Sequence, residues 1–191
     1  MTDAAFSCRC GRVRGTVSGV PRNGFHFACH CGDCRAGARL AGAPDPGTEG
    51  VPVYHTTPDR LTITEGRDLL EPLRMRPESH LLRWRATCCG DLVVGTTDRP
   101  ARPMLSVLAR TLGDAPLGPL RARTFLPPAR PGGRPRHEGL AAFLPNFLLR
   151  PLAARLSGRW RRNPLAQEDA YPAPRDLTPE ERARAYGGPA P

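Results

Sequence analysis

Short alternations of apolar and polar residues run through the first half of the chain. Val13, Gly15 and Val17 alternate with Arg12, Arg14 and Thr16, the period of two that marks a strand with one buried face. Residues 6–19 are therefore expected to form a hairpin strand that carries cysteines. Phe25 to Ala28 predicts a second strand. Val51–Thr56 and Arg60–Glu65 predict two more, the latter with Leu61 and Ile63 on one face and Gly66 as its turn. Residues 69–76 and 80–88 read as the arms of a further hairpin, and Leu92–Thr96 adds a strand. Between them, residues 35–50 are rich in Ala, Gly and Pro and predict a loop or short helix.

The second half changes character. Met104–Leu112 has helical spacing of apolar residues. Residues 127–136 hold four prolines, two glycines and three arginines and predict loop. Gly139–Arg162 predicts an amphipathic basic helix that Pro145 and Pro151 kink or divide, with covering the open face of a sheet as its expected place. Leu177-Thr-Pro-Glu-Glu predicts a capped terminal helix: Thr178 at the N-cap, Pro179 at N1 and Glu181 at N3. The fold class expected is mainly β with C-terminal helices. Residues 1–100 would form the core, and residues 101–191 an Arg/Pro-rich extension packing on it.

Composition narrows the class. Glycine and proline supply 43 of 191 residues, so loops take a large share, and 39% hydrophobic with 6% aromatic residues makes a thin core. No run reaches the roughly 18 apolar residues that span a bilayer, so no transmembrane segment is expected. Met1 to Gly15 lacks the apolar stretch of a secretory signal, which makes cytoplasmic the expected location. The net charge is +10, and all 28 basic residues are arginine. The excess is local: residues 121–162 hold 10 arginines against Glu138 alone. Such a field attracts phosphates, nucleic acid or an anionic membrane surface. Aromatics are not interleaved with it, so nucleic acid is disfavoured and a solvated helix face is the plainer expectation.

The chemistry lies in seven cysteines: Cys8, Cys10, Cys29, Cys31, Cys34, Cys88 and Cys89. An odd number without a signal peptide argues against a disulfide framework. Clusters as tight as C-R-C, C-H-C-G-D-C and C-C-G suit thiolate ligation of a soft or borderline metal, with Zn2+ the default. On an extended segment Cys8 and Cys10 share a face. Cys31-Gly-Asp-Cys34 is a knuckle, to which Cys29 adds a third sulfur. Cys88 and Cys89 need a turn or bulge before Gly90 to reach one ion; otherwise they serve different sites. The arithmetic favours four thiolates at one closed site, with Cys29, Cys31 and Cys34 at a second, open one. A single four-sulfur zinc with idle remaining cysteines is the alternative, so one or two zinc ions per chain are expected. His30, between two ligands, should point away from the metal, whereas His26, His55, His80 and His137 stand alone.

C-R-C-G-R-V-R-G (8–15), C-H-C-G-D-C-R (29–35), Leu61-Thr-Ile-Thr-Glu-Gly66 and C-C-G (88–90) follow in one order. That order resembles the glutathione-dependent formaldehyde-activating enzyme family, which includes the centromere protein V-like proteins. The resemblance implies an Mss4-like β-tent, small antiparallel sheets stapled by zinc, over residues 6–97. It also implies a structural zinc on Cys8, Cys10 and Cys89, and a catalytic zinc on Cys29, Cys31 and Cys34 that receives the glutathione thiolate. The family's late C-x-x-C-G motif would need cysteine where Ala86 stands; Cys88 appears instead. Residues 83–90 and 158–184 look more like a bacterial branch of the superfamily. The function implied is carbon–sulfur lyase or thiol-adduct chemistry on a small thiol such as glutathione, with His30 and Asp33 as candidates for proton handling and Arg35 for an anionic thiol. The alternative is a non-enzymatic zinc-stapled binding module whose basic segment meets an acidic partner, nucleic acid or membrane surface. The sequence carries no signal for oligomeric state.

Overall fold

The computed structural model describes residues 2–187. The first half runs β1 (Thr2–Ser7), β2 (Arg14–Val20), β3 (Phe25–Cys29), α1 (Gly32–Leu40), β4 (Val51–Thr56), β5 (Leu61–Glu65), β6 (Leu70–Arg74), β7 (Leu81–Ala86) and β8 (Asp91–Thr97). The second half adds β9 (Leu105–Leu108), β10 (Ala122–Leu126), β11 (Arg136–Glu138), α2 (Leu140–Leu156), β12 (Arg175–Asp176) and α3 (Pro179–Tyr186).

Two sheets form. The smaller has the order β1-β2-β5, and the larger β11-β10-β3-β4-β9-β8-β7-β6-β12. All pairings are antiparallel except β3 with β10 and β6 with β12. Residues beyond 100 therefore supply β9, between β4 and β8, and β10, beside β3. The small sheet lies on one face of the large one. Phe6, Val13, Val17 and Leu61 meet Tyr54, Trp84, Leu105 and Val107 in one buried cluster, the layered burial that drives such packing. Trp84 is fully buried and its indole N–H donates to Thr96 Oγ1 at 3.0 Å, so its polar edge is satisfied.

The other face of the large sheet carries the helices. Phe143 and Phe147 of α2 pack on Phe25, Phe27 and Val53. Ala36 of α1 and Ala185 of α3 close over Leu73, Met75 and Leu92. The expected terminal cap is present: Glu181 N–H donates to Thr178 Oγ1 at 3.2 Å and Thr178 N–H to Glu181 Oε2 at 3.0 Å.

Two expectations need correction. Met104–Leu112 is a strand followed by one 3-10 turn, Ala109–Leu112. Leu105 and Val107 are fully buried while Ser106 and Leu108 are not, so a four-residue alternation was masked by the apolar residues after it; β4 and β8 both take β9 as hydrogen-bonding partner. The Gly139–Arg162 helix is one undivided span, Leu140–Leu156, despite its two prolines. Nor is it amphipathic with a basic face. Phe143, Phe147, Pro151 and Ala154 face inward, and Leu144, Leu148, Leu152 and Leu156 are exposed on the outside, so both faces are apolar. No helix among the described residues is long and apolar enough to cross a membrane.

Candidate metal centres and the adjoining cavity

Two hairpin turns build the first centre. In the β1–β2 turn, Cys8 N–H donates to the Val13 carbonyl and Gly11 N–H to the Cys8 carbonyl, both at 2.9 Å. Gly11 takes φ +75°, a left-handed conformation that a side chain would strain. In the β7–β8 turn, the N–H groups of Cys89 and Gly90 converge on the Ala86 carbonyl at 3.2 and 2.8 Å. Arg9 clamps the two turns together. Its backbone N–H donates to Asp91 Oδ2 at 2.9 Å, and its guanidinium to the Cys89 carbonyl at 2.7 Å and the Ala41 carbonyl at 2.9 Å. Asp91 is buried and ion-paired with Arg110 at 2.5 Å.

The clamp brings four sulfurs together. Cys8 Sγ lies 3.6 Å from Cys10 Sγ and 3.8 Å from Cys88 Sγ, Cys10 Sγ lies 3.4 Å from Cys88 Sγ, and Cys88 Sγ lies 4.0 Å from Cys89 Sγ. A tetrahedron with zinc–sulfur bonds of about 2.3 Å has edges of about 3.8 Å. The donor set thus fits a four-thiolate ion, and all four sulfurs lie within 4.8 Å of one another. Cys8 and Cys10 converge because both sit in the turn, not along an extended strand as expected. The turn before Gly90 also brings both Cys88 and Cys89 to the same centre. Cys10 is pulled down to about 6 by the Arg12 backbone N–H and the Cys88 thiol. Cys88 is pushed up to about 12 by burial and by its contacts with Cys10 and Cys8.

The second centre forms where β3 runs into α1. Cys29 ends the strand, Cys31 is the helix N-cap and accepts from Cys34 N–H at 3.4 Å, and Cys34 sits in the first turn. Cys29 and Cys31 Sγ are 3.3 Å apart, and the three sulfurs lie within 4.8 Å of one another. Contacts from the Cys29 and Cys34 thiols hold Cys31 far below its ordinary value, while the contact with Cys31 pushes Cys29 up to about 11. A thiolate at a helix N-terminus is further favoured by the backbone dipoles. From β7, Arg83 Nη2 reaches Cys34 Sγ at 3.4 Å. Burial opposes its charge, but Cys34, Cys31 and Cys29 outweigh that and hold it protonated.

This three-sulfur centre lines a cavity of about 790 Å3 over the helix-bearing face of the large sheet. Its walls are mostly apolar: Phe27, Val51, Val53, Leu92, Val94, Met104, Leu108, Phe143 and Phe147. The charged groups on it are already engaged. Arg76 donates to Asp33 Oδ2 from Nε at 3.1 Å and Nη2 at 3.0 Å, Arg110 pairs with Asp91, and Arg83 faces Cys34. Tyr186 Oη donates to Asp33 Oδ1 at 2.8 Å, and burial together with Asp33 pushes that phenol up.

Asp33 is therefore beside the centre, as a half-buried acceptor that fixes Arg76 and Tyr186. His30 is not among the residues lining the cavity or in either sulfur group. Its ring packs over Gly50, where an added Cβ would come 2.7 Å from Nε2, and burial followed by Arg123 and Arg35 pushes its pKa down. Arg35 turns away to Asp45 at 3.1 Å. Sequence reasoning missed Arg76, Arg83 and Tyr186. Arg83 alone left a trace, as the polar neighbour of buried Trp84 and Leu82 on an alternating strand; Tyr186 arrives from α3 through tertiary packing.

The family described as "Family of unknown function (DUF6151)" matches residues 2–170. That span includes all seven cysteines and stops before α3. No curated protein matches. The crystal structure of a Rhodobacter sphaeroides protein is 16% identical, with 61% of this chain and 96% of that one covered at a TM-score of 0.43.

Proposed function

The chain belongs to this family, DUF6151, and we propose that it is a zinc protein with one closed structural centre and one open three-thiolate centre for thiol–aldehyde adduct chemistry. The observation that carries this reading is the contrast between the clusters: four sulfurs at tetrahedral spacing in paired turns, and three sulfurs on the wall of a large cavity. Zinc held by three thiolates keeps a fourth position for an incoming thiol and lowers its pKa. The chain's own groups do the rest. Arg83 balances the charge of the clustered thiolates, and Asp33 holds Arg76 and Tyr186 on the cavity wall. The apolar walls exclude water from the reacting groups. In the adduct step the thiol sulfur bonds to the carbonyl carbon, the C=O π-bond opens, and the thiol proton ends on oxygen; the lyase direction reverses this.

The cavity also bears on the thiol. Glutathione brings two carboxylates, while the three arginines on the wall are each engaged already. A small thiol with an apolar body suits the walls better. The test is zinc per chain by elemental analysis on protein purified without added metal, beside a Cys31→Ala variant. Two zincs falling to one with the fold intact support the reading; one zinc, unchanged in the variant, overturns it. Titrating the loaded protein with glutathione and with 1-butanethiol to 1-octanethiol then reads the preference, expected to rise about fourfold per buried methylene.

A further inference from the structure

Among the described residues, nothing covers the outward face of α2. Among the described residues nine large apolar side chains are exposed, and eight of them lie between residues 120 and 156. Five form one stripe on α2: Leu144, Leu148, Leu149, Leu152 and Leu156, from 48% to 79% exposed. The helix runs Leu140–Leu156, and from Leu144 to Leu156 the stripe extends for roughly 18 Å at 1.5 Å per residue. A continuous apolar surface of that length marks an interaction site.

The charge around it says what kind. The same stretch of chain, residues 121–162, holds 10 arginines against Glu138. Beside Leu149 a second cavity of about 400 Å3 is lined by Arg60, Arg150 and Arg159, with Asn23 and Asn146. Among the described residues Asp59 is the one carboxylate paired there, at 3.4 Å from Arg159 and 3.7 Å from Arg60. Arg150 is held by neutral acceptors, Asn146 Oδ1 at 2.8 Å and the Arg22 carbonyl at 2.9 Å. The hollow thus has cationic groups in excess at the foot of an exposed leucine stripe.

We infer that α2 docks on an anionic lipid surface, its leucines entering the acyl boundary and the Arg60–Arg150–Arg159 hollow receiving a phosphate headgroup. Exposed leucines on the helix, with cations beside them supplied by Arg60 and Arg159 of flanking segments as well as by Arg150, meet the apolar and anionic parts of such an interface. A second copy of the chain would bring two strongly basic segments face to face, so like charge opposes self-association through this surface. Duplex nucleic acid would satisfy the arginines and leave the leucine stripe in water. The inference does not depend on the chemistry at the three-cysteine centre.

The test is co-sedimentation of the full-length protein with vesicles of phosphatidylcholine alone and of equal phosphatidylcholine and phosphatidylglycerol. Binding is expected to the anionic vesicles, with at least tenfold weaker binding to the neutral ones and a fall of similar size from 0.1 to 0.5 M salt. A Leu148→Ser/Leu152→Ser variant, both sites already exposed, should keep its melting temperature and zinc content and lose at least tenfold in vesicle affinity. Arg60→Gln should reduce the preference for anionic over neutral vesicles. Equal binding to both vesicle types, or anionic-vesicle binding untouched by the leucine variant, overturns the inference. So does a dimer in sedimentation velocity that the leucine variant dissolves, which would give the stripe to a second copy.

Discussion

The two cysteine centres should differ sharply in what they contribute to stability. An ion in the four-cysteine centre ties Cys8 to Cys88 across 80 positions. Treated as a cross-link, closing a loop of that length removes about 4.5 kcal/mol of unfolded-chain entropy at 25 °C. The Cys29–Cys34 centre closes only about five residues, and the same relation gives about 2 kcal/mol. For a chain of this size about 2–4 °C of melting temperature goes with each kcal/mol, so the losses are roughly 9–18 °C and 4–8 °C. The perturbation that isolates this term is Cys10→Ser with Cys88→Ser, because Cys10 is exposed and Cys88 half-buried, so little packing is lost. Its counterpart is Cys31→Ser, since serine still caps α1. Each variant leaves two thiolates at the centre it disables. Thermal unfolding followed by near-ultraviolet circular dichroism, with chelator-stripped wild type alongside, gives the comparison. Equal losses, a larger loss for Cys31→Ser, or a double variant within about 3 °C of wild type would refute the staple argument, since the cited relation puts the loop terms about 2.5 kcal/mol apart.

Three further outcomes follow from groups away from the sulfurs. His55 is fully buried against Phe147, ring centroids 4.1 Å apart, and burial pushes its pKa down to about 3. The unfolded chain takes up a proton near pH 6.5 that the folded chain refuses, so stability should drop as pH falls from there, by about 2 kcal/mol at pH 5; His55→Phe keeps the stack and should flatten that limb in urea titrations. Glu181 is held down to about 2 by the Arg175 guanidinium, which donates at 2.7 and 3.0 Å, and by the Thr178 N–H. Its stabilisation is present above its ordinary value near 4.5 and lost as pH falls through about 2, so Glu181→Gln should cost about 1–2 kcal/mol at pH 7 and less below pH 3. Gly15 pairs with Ile63 where an added Cβ would strike the Thr62 carbonyl oxygen and the Phe6 ring, so Gly15→Ala should cost about 2–3 kcal/mol in chemical denaturation.

The strands of the first half were legible because their period of two survives in short segments. Val51–Thr56 matches β4 at both ends, and Leu61 with Ile63 alternates as read. The terminal cap was legible because its chemistry is local to four residues. What failed was non-local. Four residues of alternation in β9 carry too little signal against the Ala-Arg-Thr-Leu that follows, and only the vacancy between β4 and β8 makes them a strand. On α2 the basic amphipathic pattern expected over residues 139–162 does not hold, because apolar residues lie on both faces; the aromatic pair goes inward because Phe25 and Phe27 await it, leaving the leucines outside. The cysteine groups were legible as groups, since ligand spacing is a short-range property. Their surroundings were not, because Arg83, Arg76 and Tyr186 come from β7, the β6–β7 connection and α3.

Adjacent cysteines at 88 and 89 show how a turn solves what a strand cannot. On a continuing strand the two sulfurs would point to opposite faces. Ala86, fully buried at the end of β7, instead accepts from both Cys89 and Gly90, and the chain folds back on itself within four residues. Gly90 can take the required φ of +74° without a side-chain clash. The curl carries Cys88 and Cys89 to the same side, where Arg9 and Asp91 hold the facing turn in register. A cysteine at position 86 would lie among the buried residues between the sheets, where Ala86 now packs with Cys8 and Trp84. With its sulfur at position 88 instead, the chain gathers four sulfurs around one centre and keeps alanine in the tight inter-sheet space, so the four-sulfur group and the packing of the two sheets are met together.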